Sequence, residues 1–251
     1  MTKSVHKIFQ GIAAMAFSNV VSRTSSFATV VLLTSLLSLR EYGQVMLALA
    51  ITGPVLAIIS LGMGDMIVVD ATRYIAERKK AHAKRLLSSY FITKGVLLLL
   101  LMLSGWMFKE QLGLRYGQLM VNAALVLMVY VVMQYFKTTY NTMFNIHKRF
   151  KTLALWSSVE PVTRLIFVVA ALIFYKITVT VVLVSYVVAT GVSVLGATPH
   201  MLKIALTYRK TVTLKEPLFR AIIAAHGKWQ ALLAILSSIT ANITIYIINF
   251  L

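Results

Sequence analysis

Arg23, Glu160 and Arg164 each fall near the middle of a long apolar run. An ion there costs roughly 2.5–3.5 kcal/mol to insert into a membrane and must face protein or trapped water. On the first run, Asn19, Ser22, Arg23 and Ser26 recur at helical spacing, with Thr29 beyond and Thr24 and Ser25 widening the stripe. Such a stripe suits the wall of a wet cavity in which a fixed guanidinium receives an anion. It suits equally a packing seam, with small polar residues allowing close approach and Arg23 paired to a carboxylate elsewhere. Glu160 and Arg164 stand one helical turn apart, in the order that favours an intrahelical ion pair. They are either a self-neutralised pair, or a second cavity cation beside a carboxylate that couples transport to a proton. Pro161 has no N–H to donate and leaves the Ser157 carbonyl without its usual partner, which predicts a kink.

Other polar residues are weaker candidates. Lys94 and Lys137 lie a turn or two from the ends of their runs, where a lysine can snorkel to the interface. Gly62, Gly64 and Asp65 follow the second run, with Asp70 after them; they mark either a gating hinge or a plain helix end. The five histidines are scattered without metal-ligand spacing, so no metal site is expected. No phosphate-binding glycine loop is present and no cofactor is implied. A lipid-modifying enzyme would cluster acids and histidines at the interface, and no such cluster stands out; the chain does not read as an enzyme. The sequence has no cysteine, which excludes disulfides and thiolate metal sites. Asn242-Ile243-Thr244 matches a glycosylation sequon but lies within an apolar run.

The elements that must hold these residues are long helices. Of 251 residues 59% are hydrophobic and 13% charged, against about 25% charged in a soluble domain. Seven stretches reach the ~20 apolar residues a membrane helix needs: 11–38, 43–62, 87–108, 118–141, 153–175, 178–198 and 229–251. Their unbroken leucine and valine runs lack the two-residue alternation of a membrane barrel. With the N-terminus cytoplasmic, seventeen of the 25 lysines and arginines fall in cytoplasmic loops and four outside, the bias that sets orientation. Anionic inner-leaflet lipid accounts for the net charge of +18, and no nucleic-acid partner is needed. The first run is too long for a cleaved signal core and lacks a small-residue cleavage site. The stretch from Asp70 to Leu87 predicts an interfacial helix running into the third span. The fold class expected is all-α integral membrane: a six-helix bundle over residues 1–202, a basic linker over 203–228, and a seventh span over 229–251.

Several local strings carry a family resemblance. Leu39-Arg40-Glu41-Tyr42-Gly43, Leu61-Gly62-Met63-Gly64, Thr72 to Glu77, Ala83 to Leu87 and Lys148-Arg149-Phe150-Lys151, with Arg23 and Arg164 within their spans, follow in order. The sequence thereby resembles the polysaccharide flippases (O-antigen and teichoic-acid exporters) of the multidrug/oligosaccharidyl-lipid/polysaccharide exporter superfamily. The resemblance covers nearly the whole chain, its weight resting on order and spacing. It implies a multi-pass transporter in the inner membrane that moves polyprenyl-diphosphate-linked oligosaccharides, built from two six-helix bundles around a cationic cavity. Only one bundle and a further span are expected here, so a second bundle is an expected partner alongside the bilayer and the lipid-linked substrate. The alternatives are a multidrug exporter of the same superfamily and a non-transporting membrane subunit. A drug exporter would favour cavity carboxylates, whereas the mid-span charges here are mainly basic.

Overall fold

The computed structural model describes residues 2–107, 111, 118–209 and 228–243. Among the described residues the helices are α1 (Thr2–Leu36), α2 (Leu39–Ser60), α3 (Gly64–Ala76), α4 (Lys80–Met107), α5 (Gln118–Ile146), α6 (Phe150–Phe174), α7 (Val179–Arg209) and α8 (Lys228–Ala241). No strand occurs among the described residues. Lipid offers no hydrogen bonds, so each spanning segment must satisfy its backbone internally. Among the described residues, five stretches are long and apolar enough to cross a membrane: 39–76, 80–107, 121–146, 150–174 and 179–208. The polar band of α1 keeps it outside that set although the helix is 35 residues long. The seventh expected span appears as the short apolar α8, and residues 244–251 lie outside the described ones. Helix α7 runs on to Arg209, so the expected linker starts as helix, and residues 210–227 are likewise outside.

The chain divides into two compact units. One comprises residues 1–46 and 125–199, the other 47–124 and 200–251. In the first, α1 lies along α6. Gly11 opens the approach, since a Cβ there would sit 3.1 Å from Phe150. Further along, the Ser18 hydroxyl donates to the Ala154 carbonyl at 2.7 Å. Helix α7 closes on α6 at Gly196, where any Cβ would collide with the Trp156 ring. There the Ser193 hydroxyl donates to the Trp156 carbonyl at 2.6 Å. Small residues and buried hydroxyls thus draw these helices together where no hydrophobic effect can. Many remaining hydroxyls turn inward on their own helix: Thr29 bonds the Ser25 carbonyl at 2.8 Å, and Ser35 that of Leu32 at 2.8 Å.

In the second unit, α2 ends at a break formed by Leu61 and Gly62, both left-handed, with φ of 53° and 62°. The carbonyl of Gln230 on α8 occupies the space a Cβ at Gly62 would need, and Ser238 crowds Gly53 in the same way. Glycine is required at position 62, where the blocking atom is backbone, whereas the Ser238 hydroxyl at Gly53 could rotate away. The interfacial helix expected over residues 70–87 is interrupted. A turn at Glu77–Lys79 separates α3 from α4, with Arg78 left-handed at φ 60°. Across that turn the Tyr74 and His82 rings lie 5.6 Å apart.

Candidate functional site

Three charged residues of the first unit, Lys137, Glu160 and Arg164, gather where α5, α6 and α7 meet, with α1 on one flank. Each helix supplies a stripe at helical spacing: Tyr130, Gln134 and Lys137 on α5, Glu160 and Arg164 on α6, and Tyr186, Thr190 and Ser193 on α7. Glu160 is 5% exposed. Its partner is Lys137, whose Nζ stands 2.6 Å from Oε2. That oxygen also lacks an aligned hydrogen bond; the short distance decides, and the contact is an ion pair held by charge. The expectation that Glu160 would pair with Arg164 along the same helix is therefore corrected. So is the expectation that Lys137 snorkels: a buried carboxylate within reach of its ammonium outweighs the interface. Lys94 does not snorkel either. It is 2% exposed, with its Nζ 6.0 Å from the centre of the Tyr90 ring.

Arg164 is half-buried and oriented by neutral partners. Its Nη2 donates to the Ser26 hydroxyl on α1 at 3.1 Å. Its guanidinium carbon sits 4.3 Å over the Tyr186 ring, a cation–π contact strengthened by low hydration. Its Nε is buried without a hydrogen-bond partner. A second tier of bonds fixes the aromatic wall. Tyr130 meets Tyr186 edge-on at 5.9 Å between ring centres. Gln134 Nε2 donates to the Tyr130 hydroxyl at 2.8 Å and reaches Thr190 at 3.5 Å. The Ser193 hydroxyl, whose proton goes to the Trp156 carbonyl, accepts from the Tyr140 hydroxyl at 2.7 Å.

The structure thus brings together four of the residues singled out in the sequence: Ser26, Lys137, Glu160 and Arg164. Ser22 is half-buried on the same side of α1. Asn19 and Arg23 are exposed on its outer shoulder, and among the described residues Arg23 has no hydrogen-bond or ion-pair partner. Gly62, Gly64 and Asp65 belong to the second unit, at the α2–α3 break. Sequence reasoning missed Tyr130, Gln134 and Tyr186, and it gave Lys137 another role. The signal was available as spacing of four and three residues on α5, repeated on α7 as Tyr186, Thr190 and Ser193. A separate pocket of about 400 Å³ between α6 and α7, near Tyr175 and Thr180, is apolar and holds none of these charges. Among the described residues no group of acids and histidines could hold a metal.

Chemically, the cluster offers one neutralised carboxylate and one guanidinium with no acid beside it. The family model described as polysaccharide biosynthesis protein matches residues 8–251. No curated protein and no solved structure matches.

Proposed function

The chain belongs to the polysaccharide biosynthesis protein family, and on that premise we propose that it serves as a flippase for polyprenyl-diphosphate-linked oligosaccharides in the inner membrane. It is a multi-pass membrane protein by its helices and its family. A diphosphate with its sugars cannot enter hydrocarbon unaided, whereas a polyprenyl tail can stay in lipid. A carrier must therefore offer a wet, cationic path beside the bilayer. The observation that carries the reading is Arg164, a mid-span guanidinium oriented by Ser26 and Tyr186 while the nearest acid on its helix is engaged by Lys137. Guanidinium never deprotonates and binds phosphate oxygens in pairs. Arg23, exposed and unpartnered on α1, is the second cation of this path, with Asn19 and Ser22 beside it. Glu160 is the coupling group in this reading, and the break at Gly62, with Gly64 and Asp65 after it, is the gate.

The test replaces single residues at the chromosomal locus and measures surface polysaccharide, intracellular lipid-linked precursor and protein abundance together. Arg164→Gln and Arg23→Gln should each raise precursor and lower surface polysaccharide at least ten-fold at normal abundance. Arg164→Lys should recover only part, since a point charge loses the planar fork. Full export in both glutamine variants would overturn the cationic-path reading.

A further inference from the structure

Two connections in this chain close a helix in the same manner. Between α3 and α4, the Arg78 N–H bonds the Ile75 carbonyl at 3.1 Å and the Lys79 N–H bonds that of Tyr74 at 2.8 Å. Between α5 and α6, the Lys148 N–H bonds the Asn145 carbonyl at 3.0 Å and the Arg149 N–H bonds that of Phe144 at 2.9 Å. Arg78 and Lys148 occupy the left-handed position of their turns, at φ 60° and 54°. Glycine is the usual residue there, because a Cβ makes that conformation unfavourable. Each turn carries a cation instead, and backbone geometry gives no reason for one.

The α2–α3 connection is left-handed too, at Leu61 and Gly62, but carries no cation; the α1–α2 and α6–α7 connections close without a left-handed residue. Between α1 and α2, the Glu41 carboxylate accepts from the Ser38 N–H at 3.0 Å and hydroxyl at 2.7 Å. Between α6 and α7, the Thr178 hydroxyl accepts the Val181 N–H at 3.4 Å. The charge bias along the sequence assigns the two cationic turns to the cytoplasmic side and the two capped ones to the outside.

Depth identifies the ligand. Helix α6 has 25 residues, or roughly 37 Å at 1.5 Å per residue, against a hydrocarbon core of about 30 Å. The α5–α6 turn therefore lies within roughly 7 Å of the acyl chains, in the phosphate layer. Lys148 and Arg149 are exposed there, and among the described residues neither has an anionic partner. Burial, with Arg149 alongside, holds the neighbouring His147 below the ordinary imidazole pKa. In the α3–α4 turn Glu77 engages Lys79 at 2.8 Å, which leaves Arg78 and Lys80. We propose that the α5–α6 turn binds the phosphate of an anionic phospholipid through Lys148 and Arg149, and that Arg78 and Lys80 repeat the device between α3 and α4.

The left-handed position makes the test diagnostic in sign, because glycine relieves the backbone while removing the charge. The full chain is placed in vesicles of phosphatidylcholine with increasing phosphatidylglycerol, and its thermal unfolding is followed. Phosphatidylglycerol should stabilise the native chain. Lys148→Gly should unfold no earlier than the native chain in pure phosphatidylcholine, yet need about five-fold more phosphatidylglycerol for half the gain. Arg78→Gly should behave alike, and the pair of changes should need still more. Lys148→Arg should keep the native response. Lys203→Gln, an exposed cation on α7, should shift it less than two-fold. An unchanged response in the doubly substituted chain would overturn the proposal. An equal loss in Lys203→Gln would overturn it in favour of bulk charge. Inorganic phosphate reproducing the gain in pure phosphatidylcholine would overturn the assignment to lipid.

Discussion

Replacing Lys137 by methionine takes the ammonium from Glu160 and leaves a carboxylate only 5% exposed. Two unit charges at the observed 2.6 Å attract by about 6 kcal/mol at an effective dielectric of 20, and desolvation of both ions offsets much of it. Removing one partner of a buried pair costs about 3–5 kcal/mol. The Lys137 side chain keeps 22% of its exposure, so the lower end applies, about 3 kcal/mol. Glu160→Gln should cost less, about 1–2 kcal/mol, because the freed lysine can reach water. With both changes no buried charge remains unpaired, so the double variant should fall short of the sum by about 2 kcal/mol. The assay is reversible unfolding of the purified chain in mixed micelles by added dodecyl sulfate, for the native form, both single variants and the double. A parallel cycle pairing Arg164→Met with Glu160→Gln should be additive to within about 0.5 kcal/mol. Additivity in the Lys137 cycle together with coupling in the Arg164 cycle would refute the reasoning. Glu160 would then belong to Arg164, and no acid-free guanidinium would remain on α6.

Gly196→Ala should lower stability by about 1–3 kcal/mol, since the added methyl meets the Trp156 ring; thermal unfolding should show part of the loss restored when Trp156→Leu is added. Gly62→Ala should cost at least about 1 kcal/mol in the same assay, because the residue is left-handed and the Gln230 carbonyl fills the space. Burial depresses the His147 pKa below the ordinary imidazole value of 6.5, so the unfolded chain binds more protons as pH drops past that value. Stability should therefore fall as pH drops through about 6.5 and level off below the folded pKa, and His147→Gln should remove that part of the acid loss. Reporter fusions after Lys80 and Lys148 should read as cytoplasmic and one after Lys176 as external; an external signal at Lys148 would invert the assigned orientation.

The helical architecture was legible because lipid imposes one rule on every span, and because basic residues cluster in alternate loops. The depth of Glu160 and Arg164 followed from counting residues along one helix. Their partners did not, because a sequence shows which residues share a face but not which face meets which helix. The acid one turn away was the visible partner for Arg164, while Lys137, 23 positions earlier, approaches from α5. The same blindness affected the break after Ala76. Glycine would have announced a left-handed turn, and Arg78 occupies it instead. The glycines at 62 and 64 marked a hinge or a helix end, and α2 ends just before them, at Ser60. On α1, Ser26 was correctly set apart as polar, but the reason is a guanidinium from α6 that only tertiary packing supplies.

The hydroxyls that bond their own backbone bear on how α1 meets its solvent. Hydropathy scales charge every serine and threonine the cost of moving an unsatisfied O–H out of water. Thr29, Thr34 and Ser35 do not carry that cost, since each already donates to a carbonyl three or four residues back. Seen from an acyl chain, a threonine so folded presents mainly its methyl group. Transfer of α1 from water to lipid is thus more favourable than its summed hydropathy implies. Beyond the basic first turns of α1, the penalty that remains is greatest at Asn19 and Arg23, so the helix will seat itself in the membrane with that shoulder turned to whatever water or polar surface is available.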